Sequence, residues 1–192
     1  SRKLAAATGA AKTRALKLVA DGILARSGEI MAANTRDYAA AKASGLSDAM
    51  LDRMELNERR LAGMAADVRA VAALPDPVGE FIEMKTLPNG LQVGRVRVPL
   101  GVIAAIYESR PNVTTDIAAL ALKAGNAVIL RGGKEALASN VALATVVQQA
   151  CAEAGLPDGC LQSGDNPDRA LVTELLEMKQ YIDLLIPRGG AD

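Results

Sequence analysis

The 192-residue chain is half hydrophobic and balances 22 basic against 22 acidic residues, so it can bury a substantial core and carries no net field to draw it to nucleic acid or an acidic membrane. It has no histidine and only two cysteines, Cys151 and Cys160, without metal or redox spacing, which excludes Ser/His/Asp and Cys/His triads and a histidine-bearing zinc site, and no metal site is expected. Aromatic residues make up 2%, too few for a base-stacking platform; the apolar runs are too short to span a bilayer and the N-terminus shows no secretory pattern, so the expected location is cytoplasmic.

Residues 1–77 are Ala-rich and helical in character. Leu4, Ala7, Ala11, Ala15, Leu18 and Val19 fall at helical spacing, and Ser27, Ser47 and Asn57 are suited to cap later helices. Pro75 and Pro77 end this part. Residues 78–99 read as a β-hairpin turning at Pro88-Asn89-Gly90, and the apolar phase changes at Gly94, which predicts a bulge there. Such a hairpin is either an exposed oligomer arm or an ordinary edge ribbon.

Strands and helices alternate through residues 100–192. "GVIAAIY" reads as a buried strand, with a helix over 116–123 after it, and "AVIL" is the next strand. The following helix places Leu137, Val141, Ala144, Val147 and Cys151 on one face. "GCLQS" is a short strand, Asn166 and Pro167 suit the start of another helix, and "YIDLLI" returns to strand. Repeated βαβ units predict an α/β fold, a doubly wound parallel Rossmann-type sheet whose ligands sit at the carboxyl ends of the strands.

Arg131-Gly132-Gly133-Lys134 and Arg188-Gly189-Gly190 both fall at such carboxyl ends. Glycines permit close ligand approach, helix-start N–H groups favour an anion, and the cations add to that preference, so a phosphate-bearing nucleotide is one reading. A compact turn is the other. Neither loop has the G-x-G-x-x-G or the G-x-x-x-x-G-K pattern.

"RVPLGVIAAIYESRPNVTTDIAALALKAGNAVILRGGKEALASN", "DNPDRALV" and "YIDLLIPRGGAD", with "MLDRMELNERR" and "DPVGE" earlier, resemble the gamma-glutamyl phosphate reductase family of the aldehyde dehydrogenase superfamily. The resemblance implies NADPH-dependent reduction of L-glutamyl 5-phosphate to L-glutamate 5-semialdehyde in proline biosynthesis, through a cysteine thioester and a thiohemiacetal. It implies a cofactor domain, a catalytic domain, an oligomerisation arm and a homo-oligomer, with glutamate 5-kinase as a further partner. The family's nucleophilic cysteine lies well past the "IPRGGA" loop. The expectation is therefore an N-terminal portion lacking the catalytic domain, in which Cys151 and Cys160 are buried small hydrophobes. Other superfamily acyl-phosphate or acyl-CoA reductases, or a noncatalytic nucleotide-binding or assembly module, are the rival readings.

The resemblance also implies roles. Arg131 stands at the cofactor's adenosine ribose and Lys134 at the 2′-phosphate of NADPH, with Gly132 and Gly133 between them, and Arg188, Gly189 and Gly190 lie near the pyrophosphate. Asn112 matches the asparagine that helps form the oxyanion hole, or else it caps the next helix. Glu108 and Arg110 can read the ammonium and carboxylate of a glutamyl substrate or pair with each other.

Overall fold

The computed structural model describes residues 1–166, 168 and 170–188. The first part is a set of five helices: α1 (Arg2–Ala5), α2 (Gly9–Ala25), α3 (Ser27–Ala43), α4 (Asp48–Met54) and α5 (Glu58–Ala73). The helical spacing from Leu4 to Val19 is interrupted between α1 and α2, where the Thr8 hydroxyl accepts from the Ala11 N–H and starts α2 afresh. Asn57 caps α5 as expected, its side chain accepting from the Arg60 N–H at 2.9 Å. Ser47 stands at the N-cap of α4 without a side-chain cap bond, and Ser27 is already the first residue of α3.

A two-stranded antiparallel ribbon follows, β1 (Phe81–Thr86) and β2 (Gln92–Val96). Its irregularity corrects the bulge expected at Gly94. The register slips between Phe81 and Glu83 on the opposite strand, and Gly94 pairs regularly with Met84. Gly94 marks a close approach, since a Cβ there would meet the Met84 side chain and lie 3.0 Å from the Glu83 carbonyl oxygen.

The remaining strands form one parallel sheet. β3 (Val102–Tyr107), β4 (Ala127–Arg131), β5 (Leu161–Ser163) and β6 (Leu184–Arg188) lie in the order β5-β4-β3-β6. Connecting helices are α6 (Asn112–Lys123), α7 (Leu137–Glu153) and α8 (Ala170–Glu177), with a 3₁₀ turn at Lys134–Ala136 leading into α7. The chain leaves β3 toward β4 and β5, then returns to the other side of β3 for β6. That reversal makes β3/β6 the switch point, where the carboxyl ends splay into a crevice.

Three local expectations shift. α6 begins at Asn112, four residues early, because Pro111 fixes a helical φ of −57° at its N-cap. On α7 the buried residues include Leu143, Ala144, Val146, Val147, Ala150 and Cys151, whereas Val141 is exposed. The buried face is thus rotated from the one expected, because α7 packs against both α2 and α3. β6 starts only at Leu184, because residues 178–182 form a turn closed by the Tyr181 and Ile182 N–H groups on the Met178 carbonyl. The expected Pro167 helix start lies outside the described residues; Asn166 accepts from the Asp168 N–H and the Asp168 carboxylate accepts from the Ala170 N–H that opens α8.

One continuous core runs from Leu16, Ile23, Leu61 and Val68 of the helical part, through Leu122 of α6 and Leu143 and Val147 of α7, to Val128 and Leu130 of β4. Two buried lysines brace this core, one within the helical part and one across the two parts. Lys12, 1% exposed, donates to the Asp76 carboxylate at 2.8 Å, and Lys123 of α6 donates to Thr13 and to the Ala72 carbonyl at the end of α5. Among the described residues no helix is long and apolar enough to cross a membrane.

Burial pushes the Asp76 carboxyl up, but the Lys12 hydrogen bond, the Val78 N–H and the charges of Lys12 and Lys123 outweigh it and hold the group below its ordinary 3.8. A lowered folded value stabilises the fold above 3.8, and this contribution disappears as pH falls through the folded value. Asp76→Asn should therefore lower stability by about 2 kcal/mol in urea unfolding at neutral pH. The gap to wild type should close in acid below the ordinary carboxylate range.

Candidate functional site

Because β3, β4 and β6 are parallel, their carboxyl ends share one edge, with Arg131 opposite Ile106 and Arg188 opposite Tyr107 in the sheet register. The sequence-nominated residues 108–112 and 131–134 thus lie on two adjacent loops. Arg188 closes the far side of β3. Gly189 and Gly190 fall outside the described residues.

A buried hydrogen-bond chain fixes these two loops. The Tyr107 hydroxyl meets the Thr114 hydroxyl at 2.7 Å, and Thr114 donates to the Asn140 side-chain oxygen at 3.0 Å. Strand β3, the first turn of α6 and the first turn of α7 are joined by three side chains. Burial, opposed by the Thr114 hydrogen bond, pushes the Tyr107 phenol up to about 12, so it stays protonated at any working pH.

Gly132 lies directly over this chain. A Cβ at Gly132 would collide with the Asn140 amide and lie 3.1 Å from the Tyr107 ring, and one at Gly133 would lie 3.1 Å from the Ser109 hydroxyl oxygen and 3.2 Å from the Ser109 backbone nitrogen. Neither glycine is among the positive-φ residues. These glycines answer a demand for space, not for a left-handed backbone. Ser109 adds a side-chain link, donating to the Glu135 carboxylate at 2.9 Å.

The sequence-nominated cations behave differently. Arg131 is buried, and its guanidinium donates to the Gly132 carbonyl and to the Asp168 carbonyl at 3.3 Å. Lys134 is exposed and makes no ion pair among the described residues. Its neighbour Glu135 is turned inward to Ser109, so Lys134 presents its charge at the sheet edge.

The start of α7 also departs from the anion-binding expectation. Asp37 of α3 accepts from the Ala138 N–H at 3.2 Å and from the Ser139 N–H and hydroxyl at 2.7 Å. The first N–H groups of α7 already face a carboxylate from the chain itself. Asn34 reinforces the junction by donating to Met54 and Ser139 and accepting from the Leu56 N–H. Both residues sit mid-helix in α3 with no local motif; only tertiary contact assigns their role.

Arg110 and Asn112 line one cleft of about 400 Å³, whose opposite wall comes from Asp52, Arg60, Met64 and Asp67 of α4, α5 and their connection. Arg60 braces that wall with bonds to the Asp52 carboxylate at 2.7 Å and the Glu55 carbonyl at 2.8 Å. The Asn112 amide donates to Asp116 at 3.1 Å, leaving a second amide N–H. Burial and the nearby Asp67 charge push the Asp116 carboxyl up, against the Asn112 hydrogen bond and the Arg188 charge. Glu108 is exposed, and no ion pair between Glu108 and Arg110 is found among the described residues. Among the described residues, no cluster of three or more acidic, Cys or His side chains is placed to hold a metal.

A parallel sheet with paired glycines after its second strand, a charged cleft beside the first and helices packed on it make this a doubly wound α/β fold. The aldehyde dehydrogenase family matches residues 2–186, and the chain belongs to it. Within that family it is 57% identical over 191 residues to the gamma-glutamyl phosphate reductase of Dehalococcoides mccartyi, covering 100% of this chain and 45% of the relative. The crystal structure of the Thermotoga maritima gamma-glutamyl phosphate reductase is matched at a TM-score of 0.95 and 41% identity, over 98% of this chain and 45% of that one. That of the Saccharomyces cerevisiae enzyme is matched at a TM-score of 0.91 and 35% identity, over 99% of this chain and 48% of that one. The chain spans just under half the length of these relatives.

Gly132→Ala should displace the Asn140 amide and break its link to Thr114, lowering stability by about 2 kcal/mol. Urea unfolding of the variant beside wild type measures this; an unchanged midpoint would show that the turn tolerates a Cβ.

Proposed function

We propose that this chain supplies the cofactor-binding part and one wall of the substrate cleft of a gamma-glutamyl phosphate reductase. The complete enzyme reduces L-glutamyl 5-phosphate to L-glutamate 5-semialdehyde and releases phosphate, a step of proline biosynthesis. The observation that carries this reading is the similarity to enzymes of that name along the whole chain. In this reading residues 1–77 are the helical part of the cofactor domain, 100–192 its sheet, and the nucleophilic cysteine lies outside the chain. Both cysteines present are buried at 2% and 5% exposure, which agrees with that division. Residues 78–99 form an oligomerisation arm, and the exposed Phe81, Ile82, Met84 and Val93 supply apolar surface for a second copy.

The residues at the carboxyl edge fit NADPH. Lys134 offers an exposed ammonium that its neighbour Glu135 does not neutralise, and the packed Gly132-Gly133 turn keeps Cβ atoms away from the edge. When bound, NADPH supplies the hydride. Lys134 binds the 2′-phosphate as a point charge, while Arg131 shapes the turn beside the ribose by holding the Gly132 and Asp168 carbonyls. Arg188 stands at the switch-point crevice toward the pyrophosphate. In the neighbouring cleft Arg110 attracts the substrate carboxylate and the second Asn112 N–H donates to the oxygen on which negative charge develops, while Glu108, exposed on the same loop outside the cleft lining, attracts the ammonium.

Two substitutions in the complete reductase test the assignments. Lys134→Glu should weaken NADPH roughly tenfold or more and NADH far less, measured by nucleotide binding; equal losses would remove Lys134 from the 2′-phosphate. Arg110→Ala should raise KM for L-glutamyl 5-phosphate more than it lowers kcat, and an unchanged KM would remove Arg110 from substrate recognition.

A further inference from the structure

The two cysteines that the proposed mechanism leaves unused are nine positions apart in sequence, yet the fold brings them together. Cys151 sits in the last turn of α7 and Cys160 immediately before β5. Backbone bonds hold both: the Leu156 N–H donates to the Cys151 carbonyl and the Val128 N–H to the Cys160 carbonyl, each at 2.9 Å. Both are free, buried thiols, and each side chain is the other's partner. Both also line a cleft of about 280 Å³, shared with Gln148, Pro157, Asp158 and Gln162 at the amino-terminal edge of the sheet. A peroxide molecule is small enough to enter a cleft of that volume.

We propose that Cys151 and Cys160 form a dithiol site that hydrogen peroxide or a small alkyl hydroperoxide oxidises to an intramolecular disulfide. The pair is asymmetric. The hydrogen bond from Cys151 holds the Cys160 thiol below its ordinary 9.0, against burial, helped by its own backbone N–H and that of Leu161. The same hydrogen bond, with burial, pushes Cys151 up. Cys160 is therefore the attacking sulfur and Cys151 the resolving one.

In the first step the Cys160 thiolate attacks the terminal peroxide oxygen, the O–O bond breaks, and Cys160 becomes a sulfenic acid while hydroxide, or the alkoxide of an alkyl hydroperoxide, leaves. In the second, Cys151 gives up its proton and attacks the Cys160 sulfur; the S–S bond forms, the S–O bond breaks, and hydroxide leaves. Two thiols have then lost two electrons and two protons, and hydrogen peroxide is reduced to two waters, an alkyl hydroperoxide to an alcohol and one water. The disulfide fastens the end of α7 to the start of β5, remote from the carboxyl-edge site.

The test is peroxide treatment of the folded chain followed by alkylation and peptide mass analysis. No Lys or Arg lies between Glu135 and Arg169, so one tryptic peptide carries both cysteines, and further cleavage before Asp158 separates them unless they are bonded. The expected result is a peptide lighter by two hydrogens whose halves stay joined until reduced. Met84, 52% exposed, is the internal control that oxidant was present. In Cys151→Ser, Cys160 should gain oxygen; in Cys160→Ser, Cys151 should remain alkylatable. Three wild-type outcomes would each overturn the proposal, whether or not the variants fold: oxidised Met84 beside two alkylatable thiols, oxygen added to either cysteine without a cross-link, or disulfides only between chains.

Discussion

The buried chain from Tyr107 through Thr114 to Asn140 is the constraint on which the rest of the site depends. It links the carboxyl end of β3 to the first turns of α6 and α7, so the two loops that bear the candidate residues cannot move independently. Three side chains taken out of water at such a junction are held by the two hydrogen bonds they share, and the buried Asn140 amide nitrogen finds no partner among the described residues. Gly132 follows from that arrangement, since the Asn140 amide and the Tyr107 ring occupy the space of its Cβ. Ser109 and Glu135 extend the tie one residue further along each loop.

The anion preference proposed for this edge has a particular origin. A helix after a parallel strand often offers its first N–H groups to a phosphate, but in α7 Asp37 reaches across from α3 and takes them. The helical part is thus an inner support for the parallel sheet. Positive charge at the edge is left to side chains, with Lys134 exposed and Arg131 drawn into backbone carbonyls. The same helical part supplies the opposite wall of the cleft holding Arg110 and Asn112, so one packing arrangement positions both candidate sites.

Much of the fold was legible because it rests on local signals. Apolar runs over Val102–Tyr107 and Ala127–Arg131, the helical spacing of the first 74 residues, and Asn57 as a cap all needed only nearest-neighbour chemistry. A glycine in a strand signals either a bend or close approach, and at Gly94 only the Met84 side chain across the ribbon decides between them. Periodicity along α7 alone points to one face, whereas its contacts with α2 and α3 set which residues are buried. Within the site, the strand-end positions of residues 108–112 and 131–134 were readable from the βαβ pattern. Asp37, Asn34 and Asn140 were not, because each is an ordinary polar residue in a helix until a partner distant in sequence is brought alongside. The Cys151–Cys160 contact was hidden in the same way.

The central claim is that nucleotide binds at the carboxyl edge, on the turn held by Tyr107, Thr114 and Asn140. Titrating the isotope-labelled chain with NADPH while following backbone amide resonances tests it most directly. The account predicts shifts concentrated at Ser109 and Gly132 to Glu135, with smaller changes at Arg110 and Asn112. Shifts concentrated instead at the amino-terminal edge, around Gly101, Asn126 and Cys160, or no shifts at saturating nucleotide, would contradict it.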